Sequence, residues 1–326
     1  MSNHLPTSAD VLSAAERMRG RIVDTPVLES DEINRRAGIR VLLKAECLQH
    51  SGSFKIRGAL NRLLQLEEGQ RAVVAFSSGN HAQAVALAAR WLGISATIVM
   101  PRDAPQVKLA GTRAAGADVV LYDRETDDRE KMATAIAAER GAVLVPPFDD
   151  ARIVAGQGTA ALELALEAAK RGATIDALYV PCSGGGLVAG SALAIRNSFP
   201  HCAVYAVEPR GHDDHVRSLA AGRRVPAEGG ESTLCDGLRA SLPGELTFAI
   251  NRRELAGAVT VGDEQVLAAM ALAARHLRVV LEPSGAAALA AVLGSPPGHR
   301  RCAGVILSGG NVDPGHFITA LRGDCH

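Results

Sequence analysis

The chain alternates between short β-branched runs and Ala/Leu-rich runs of helical length. VVAF at 73–76 precedes HAQAVALAARWLG, ATIVM at 96–100 precedes PQVKLAGTRAAG, and DVVLY at 118–122 precedes DREKMATAIAAERG. The first run of each pair is apolar throughout, as in a strand covered on both faces, and the second has apolar residues at helical spacing. This alternation predicts βα units on parallel strands. Beyond Pro146 and Pro147 the pattern resumes at longer intervals. A helix is expected at 159–172, stopped by Gly172, then a strand at 176–182, a helix from SGGGLVAGSALAIRN and a strand at 202–209. A less regular stretch runs from Arg210 to Leu246. EQVLAAMALAARHL and SGAAALAAVLG then read as helices, and CAGVILSGG at 302–310 as a strand with a glycine turn. Two α/β regions follow. The chain crosses between them near 45–50, where KAECLQHSGSFK passes from a strand into a polar glycine loop, and again near 146–150.

Composition narrows the setting. The 326 residues are 47% hydrophobic and 21% charged, ordinary globular values. Lys plus Arg and Asp plus Glu both number 35, so no global charge favours nucleic acid or an anionic membrane. The six cysteines form no CxxC pair, which removes a zinc knuckle or redox dithiol and fits a reduced, cytoplasmic setting. The N-terminus lacks a basic start followed by an apolar run. Apolar stretches such as 82–92 contain Gln83 and Arg90 and are too short to span a bilayer. Neither a nucleic-acid nor a membrane partner is expected.

Glycine-rich loops follow the predicted strands, where open α/β folds place ligands. They are SGSFKIRG at 51–58, SSGNHAQA at 77–84, PCSGGGLVAG at 181–190 and LSGGN at 307–311. None is a GxGxxG or a GxxxxGK[ST] motif. SGGG at 183–186 leaves a strand and opens a helix, so its N–H groups and the helix start suit a phosphate. Three glycines also serve a tight turn with open dihedrals. Lys55 sits between Phe54 and Ile56. Apolar surroundings lower an amine's pKa, and a neutral amine forms a Schiff base with an aldehyde. The residues alone also allow an exposed lysine at a helix start. Pyridoxal phosphate carries an aldehyde and a phosphate together, which would use both loops. SSGNH suits a carboxylate plus one further polar group, or a plain helix cap with a structural His81.

These loops resemble the fold-type II pyridoxal phosphate enzymes, in their threonine/serine dehydratase and serine racemase branch. The resemblance runs from about Thr25 to Asp313 through SGSFKIRGA, SSGNHAQAVA, VMPRDAPQVK, AGQGTAALEL, PCSGGGLVAG, VEPRGHDD, LCDGL, LEPSGAAAL and LSGGNVD. It implies an α/β fold of two open twisted parallel-sheet domains, similar to the tryptophan synthase β chain. Residues 1–48 and 149–326 would form a large cofactor-binding domain and 49–148 a small substrate-side domain. Lys55 would link the cofactor as a Schiff base, Phe54 would pack on its ring and Asn80 would meet the ring hydroxyl. Ser183, Gly184, Gly185, Gly186 and Leu187 would hold the phosphate, and Ser308 would face the pyridine nitrogen. Ser77, Ser78, Gly79, Asn80 and His81 would bind the substrate carboxylate. The residue matching Ser78 moves the opposite-face proton in racemase-like members. Ser183 replaces a glycine found in many members and adds a hydroxyl donor. Phe148 stands where serine racemase has asparagine and dehydratases commonly have phenylalanine.

The same resemblance makes VEPRGHDD a divalent cation loop, with Glu208, Asp214 and the His212 carbonyl offering oxygens to magnesium, manganese or calcium. A homodimer is the implied assembly. With the sequence ending at His326, feedback control through an appended regulatory domain is not expected. The implied activity is a lyase of amino acid metabolism: a dehydratase (ammonia-lyase) turning a 3-hydroxy amino acid such as L-threonine or L-serine into a 2-oxo acid and ammonia. The alternatives are racemisation of serine or aspartate, and a dehydratase for 3-hydroxyaspartate or phenylserine. His215, Arg152 and Arg210 are the candidate cations for a second carboxylate, each equally readable as an ordinary charge. Cysteine synthase shares the broad fold, but its asparagine loop reads SGNTG where this chain has SGNHA.

Overall fold

The computed structural model describes residues 5–77, 79–104, 106–229, 232–296 and 298–323. Its strands are β1 (Val27–Leu28), β2 (Arg40–Lys44), β3 (Ala72–Phe76), β4 (Ser95–Pro101), β5 (Asp118–Tyr122), β6 (Val143–Leu144), β7 (Ala177–Pro181), β8 (Ala203–Pro209), β9 (Gly257–Val261) and β10 (Cys302–Ile306). They form a six-stranded sheet in the order β1-β2-β10-β7-β8-β9 and a four-stranded sheet in the order β5-β4-β3-β6. Every pairing is parallel except the two-residue edge β1, which runs antiparallel to β2. The fold is therefore α/β with two parallel-sheet domains.

Both sheets are covered on both faces, which is why their strands read as continuous apolar runs. In the large sheet Leu42, Leu178 and Ile306 join one core cluster, while Val41, Leu43, Tyr179 and Val305 join the cluster on the opposite face. In the small sheet Val73, Ala75 and Ile98 face one cluster and Val74, Phe76 and Val99 the other. Alternation along each strand is the period-2 rule applied to a sheet with no wet face. Three strands escape the sequence reading. β1 and β6 are two residues long each, and β9 is a half-buried edge strand whose GAVTV has no long apolar run.

The helix expected at 159–172 starts earlier, running Ala151–Lys170. Asp150 caps it, its carboxylate accepting from the N–H groups of Arg152 and Ile153 at 2.8 and 2.9 Å. Gly156 and Gly158 lie inside it because neighbouring backbones come too close for a side chain. A Cβ at Gly156 would meet the Arg57 carbonyl at 2.5 Å, and one at Gly158 the Gly190 carbonyl at 2.5 Å. This central helix thus packs against both helix Lys55–Leu63 and helix Gly186–Ile195. Their N-termini carry Lys55 and the SGGG loop. Among the described residues no helix is long and apolar enough to cross a membrane, and the five described cysteines are all free.

Candidate active site

The loops singled out from the sequence meet. Ser53 bridges to Gly309, the Phe54 N–H donates to the Ser308 carbonyl at 3.1 Å, and the Gly310 N–H donates to the Gly52 carbonyl at 2.9 Å. The 51–55 loop is thereby zipped onto the 307–311 loop. Asn311 ties both to a third loop: its amide donates to the Ser51 carbonyl at 2.7 Å and to Asn80 Oδ1 at 2.8 Å. Gly52 has φ +71°, and a Cβ there would meet Asn311 Oδ1 at 2.2 Å, so only glycine fits. Asn80 in turn donates to Glu282 Oε1 at 2.6 Å. The sequence alone assigns no role to Glu282 or Asn311. Both lie within quoted motifs, LEPSGAAAL and LSGGNVD, and only the tertiary fold brings them to Asn80.

Lys55 is the first residue of its helix, with Phe54 as N-cap. Its Nζ donates to the Pro147 carbonyl at 2.8 Å and lies 5.1 Å from the Phe54 ring centre. Burial pushes its amine down to about 8. The fourth loop is reached through the next residue along. A Cβ at Gly184 would strike the Phe148 ring at 2.3 Å, and one at Gly186 would lie 2.7 Å from Gln157 Oε1. Gly185, at φ +95°, is hemmed by Asn251 Nδ2 and His215 Nε2, each 2.6 Å from an added Cβ. These clashes explain the three consecutive glycines. Ser183 Oγ accepts from the Ala240 N–H at 3.1 Å, and Leu187 is buried.

Ser77, Gly79, Asn80 and His81 form the entry to helix Asn80–Leu92, Ser77 Oγ accepting from the Gly79 N–H at 3.1 Å. Ser78 lies outside the described residues. The His81 ring is buried, and Nε2 sits 3.0 Å from the Val145 carbonyl. Burial, then the nearby Lys55, pushes its pKa down to about 3, so the ring is neutral. Its side chain clasps the 145–148 segment, and its helix-start backbone remains available to an anion.

The cation loop shows another arrangement. Glu208 ends in two backbone hydrogen bonds, accepting from the His215 and Val216 N–H groups at 2.9 Å each. Asp214 is buried beside it, as is His215, and His212 forms the turn before them. Burial raises the Glu208 carboxyl to about 7. Burial opposes charge on His215, but Cys182, Asp214 and Glu208 outweigh it and hold its pKa well above the usual value. His215 is therefore part of this cluster, under Gly185. Arg152 is exposed on the central helix, and Arg210 is exposed beside Gly262. None of the three cations named for a second carboxylate stands at the 77–81 loop. Arg129 lies close to the end of β3, its guanidinium 5.6 Å over the ring of Phe76, the residue before Ser77.

The donor set fits pyridoxal phosphate. It offers an amine of lowered pKa, a triglycine helix start, and the Asn80 and Ser308 side chains on loops joined to the lysine loop. Ser53 Oγ and Gln157 Oε1, buried without partners, add polar atoms beside Lys55 in sequence and Gly186 in space. Comparisons with known proteins agree. A family model described as pyridoxal-phosphate dependent enzyme matches residues 18–308. L-threo-3-hydroxyaspartate ammonia-lyase of Saccharomyces cerevisiae is 42% identical, over 98% of this chain and 97% of that protein. Serine racemase of Schizosaccharomyces pombe is 44% identical, over 97% and 98%. The crystal structure of a T.th. threonine deaminase superposes with a TM-score of 0.89 at 44% identity, covering 94% of this chain and 99% of that one.

Proposed function

We infer the reaction from one premise: this chain belongs to the pyridoxal-phosphate dependent enzyme family, and it is a dehydratase (ammonia-lyase) or racemase of the threonine deaminase and serine racemase branch. Within that choice we propose elimination of water from a 3-hydroxy amino acid to give a 2-oxo acid and ammonia. The carrying observation is the Lys55 amine, held at about 8 by burial and aimed at Pro147 beside the glycine loop. A single group placed there serves as covalent anchor and then as base.

When bound, the cofactor supplies an aldehyde for attachment and a conjugated ring that accepts the electron pair released at the α-carbon. The backbone N–H groups of Ser183 to Leu187 would hold its phosphate, and Phe54 would pack against its ring. Glu282 and Asn311 fix the Asn80 amide, which would orient the ring. Ser308 would offer the ring nitrogen a neutral hydroxyl, which would favour direct elimination over reactions that need a fully protonated ring. The helix start at 77–81 binds the substrate carboxylate and sets the α-hydrogen toward Lys55, which removes it. Ser78 would supply the opposite-face proton in the racemisation reading. A divalent cation at Glu208, Asp214 and the His212 carbonyl belongs to this proposal, as does a cytoplasmic homodimer.

Arg129 favours a second reading, in which the substrate carries a further carboxylate, as 3-hydroxyaspartate does. Its guanidinium lies over Phe76, the last residue of β3 before the 77–81 loop, and relatives act on that compound by name. A panel of 3-hydroxy amino acids, with 2-oxo acid detection and chiral analysis, tests both readings. Lys55→Ala should lower turnover by at least ~10²–10⁴-fold. Arg129→Met should lower kcat/KM for hydroxyaspartate by roughly 10–150-fold, the value of a charge-assisted hydrogen bond, and leave serine unaffected. Inversion without oxo acid would overturn the elimination reading, and equal losses on both substrates would overturn the second.

A further inference from the structure

Helix Glu245–Glu254 holds the triglycine loop by its carbonyls. Thr247 Oγ1 donates to the Gly184 carbonyl at 2.6 Å, and the N–H of Gly244, just before the helix, donates to the same oxygen at 3.1 Å. One turn further on, Asn251 Nδ2 donates to the Gly185 carbonyl at 3.3 Å. Thr247 and Asn251 stand at i and i+4, so they share a helix face, and both are fully buried. A trans peptide unit is planar, with its C=O and the following N–H on opposite sides. Fixing the carbonyls of Gly184 and Gly185 therefore fixes the N–H groups of Gly185 and Gly186, which point away from this helix. Both glycines are buried, and among the described residues neither N–H has an acceptor. Buried N–H groups without partners are costly, and two on consecutive residues suit an anion.

The start of that helix is set in turn by Asp149. Its carboxylate accepts from the Glu245 N–H at 2.9 Å and from the Thr247 N–H at 3.0 Å. It lies so close to Gly244 that no Cβ would fit there. Asp149 belongs to the crossing segment between β6 and helix Ala151–Lys170. The same segment receives Lys55 Nζ on the Pro147 carbonyl and lays the Phe148 ring against Gly184. Three consecutive residues, 147–149, thus touch the lysine, the phosphate loop and the helix behind that loop.

We propose that Asp149 and Thr247 are positioning residues for the cofactor phosphate: Asp149 sets the helix, and Thr247 turns the Gly185 N–H toward the phosphate. This rests on the reading that residues 183–187 hold that phosphate. Thr247 has its N–H on Asp149 and its hydroxyl on Gly184, so two bonds from one residue carry the register of the crossing segment to the loop. Neither residue touches the reacting atoms. Their signature is a loss of affinity confined to ligands that carry a phosphate.

Calorimetric titration of the full-length, cofactor-free protein with pyridoxal phosphate and with deoxypyridoxal, the same aldehyde without the phosphate, tests this. Wild type should prefer pyridoxal phosphate. Thr247→Val keeps the side-chain shape and removes the donor. It should weaken pyridoxal phosphate roughly 10-fold, the value of one hydrogen bond, and leave deoxypyridoxal unchanged. Thr247→Ser keeps the hydroxyl and should bind both ligands as wild type does. Asp149→Ala changes a half-buried residue, so it carries the test where the buried substitution fails to fold. It too should weaken pyridoxal phosphate more than deoxypyridoxal. No loss, or equal losses on the two ligands, in either variant would overturn that residue's positioning role and leave the phosphate reading standing. Wild type that binds both ligands equally would overturn the phosphate reading itself.

Discussion

Lys55 and Arg57 leave the same turn of one helix and meet opposite electrostatics. Side chains two apart on a helix do not share a face. Lys55 reaches a single backbone carbonyl and no carboxylate, and burial alone pushes its amine down to about 8. Arg57 is fully buried yet holds Glu46 and Glu163 in paired hydrogen bonds of 2.6–2.8 Å, with Thr159 at 3.1 Å. Burial opposes its charge, but the two carboxylates outweigh that and raise its pKa. Lys44 and Thr25 complete this network around Glu163 and Glu46. One base is left without a counter-charge and is therefore reactive. Its neighbour is saturated with partners and therefore structural.

The largest expected effect breaks the saturated side. Arg57→Met leaves Glu46 buried without its main partner, and removing one member of a buried ion pair costs about 3–5 kcal/mol. Chemical denaturation should show this as a lowered midpoint. A loss under ~1 kcal/mol would place Arg57 among ordinary surface pairs and dissolve the contrast.

Lys55→Met should do the reverse in cofactor-free protein. The folded-state pKa of Lys55 lies below its unfolded value, so folding favours the neutral amine. Its stability contribution is full above the unfolded value of about 10.5 and is lost as pH falls toward the folded value of about 8. At neutral pH the variant should therefore be ~1–3 kcal/mol more stable than wild type. That gain should fade as pH rises through this window, in parallel denaturant titrations. A variant less stable than wild type at pH 7 would mean that Lys55 pairs with a counter-charge after all.

This contrast is only half legible in the sequence. Lys55 stands out because glycines surround it, and glycines are where the chain admits no Cβ: Gly52 against Asn311, Gly184 against Phe148. The same signal misleads at AGQG. There the glycines mark close helix packing inside 151–170, where the sequence pattern starts its helix only at 159. The apolar runs reveal β3, β4, β5, β7, β8 and β10, since strands buried on both faces cannot hide. Residues that matter only through partners far along the chain give no sign. Arg57 meets Glu163 across 106 positions and Asn80 meets Glu282 across 202, and Arg129 is one of many surface arginines until Phe76 is seen beneath it.

The smallest effect sharpens the comparison by grading the saturated side. Glu163 accepts from Arg57 at 2.6 and 2.8 Å and lies 2.6 Å from Lys44 Nζ, yet 21% of its side chain is open to solvent. Glu46 is 0% exposed. Glu163→Gln keeps one acceptor, and water can reach the vacated position, so the expected cost is about 1 kcal/mol. Glu46→Gln has no such relief and should cost more, toward the Arg57→Met figure. If burial sets the hierarchy, a double-mutant cycle should find stronger coupling for Arg57 with Glu46 than with Glu163. Equal couplings would mean that geometry alone fixes the network.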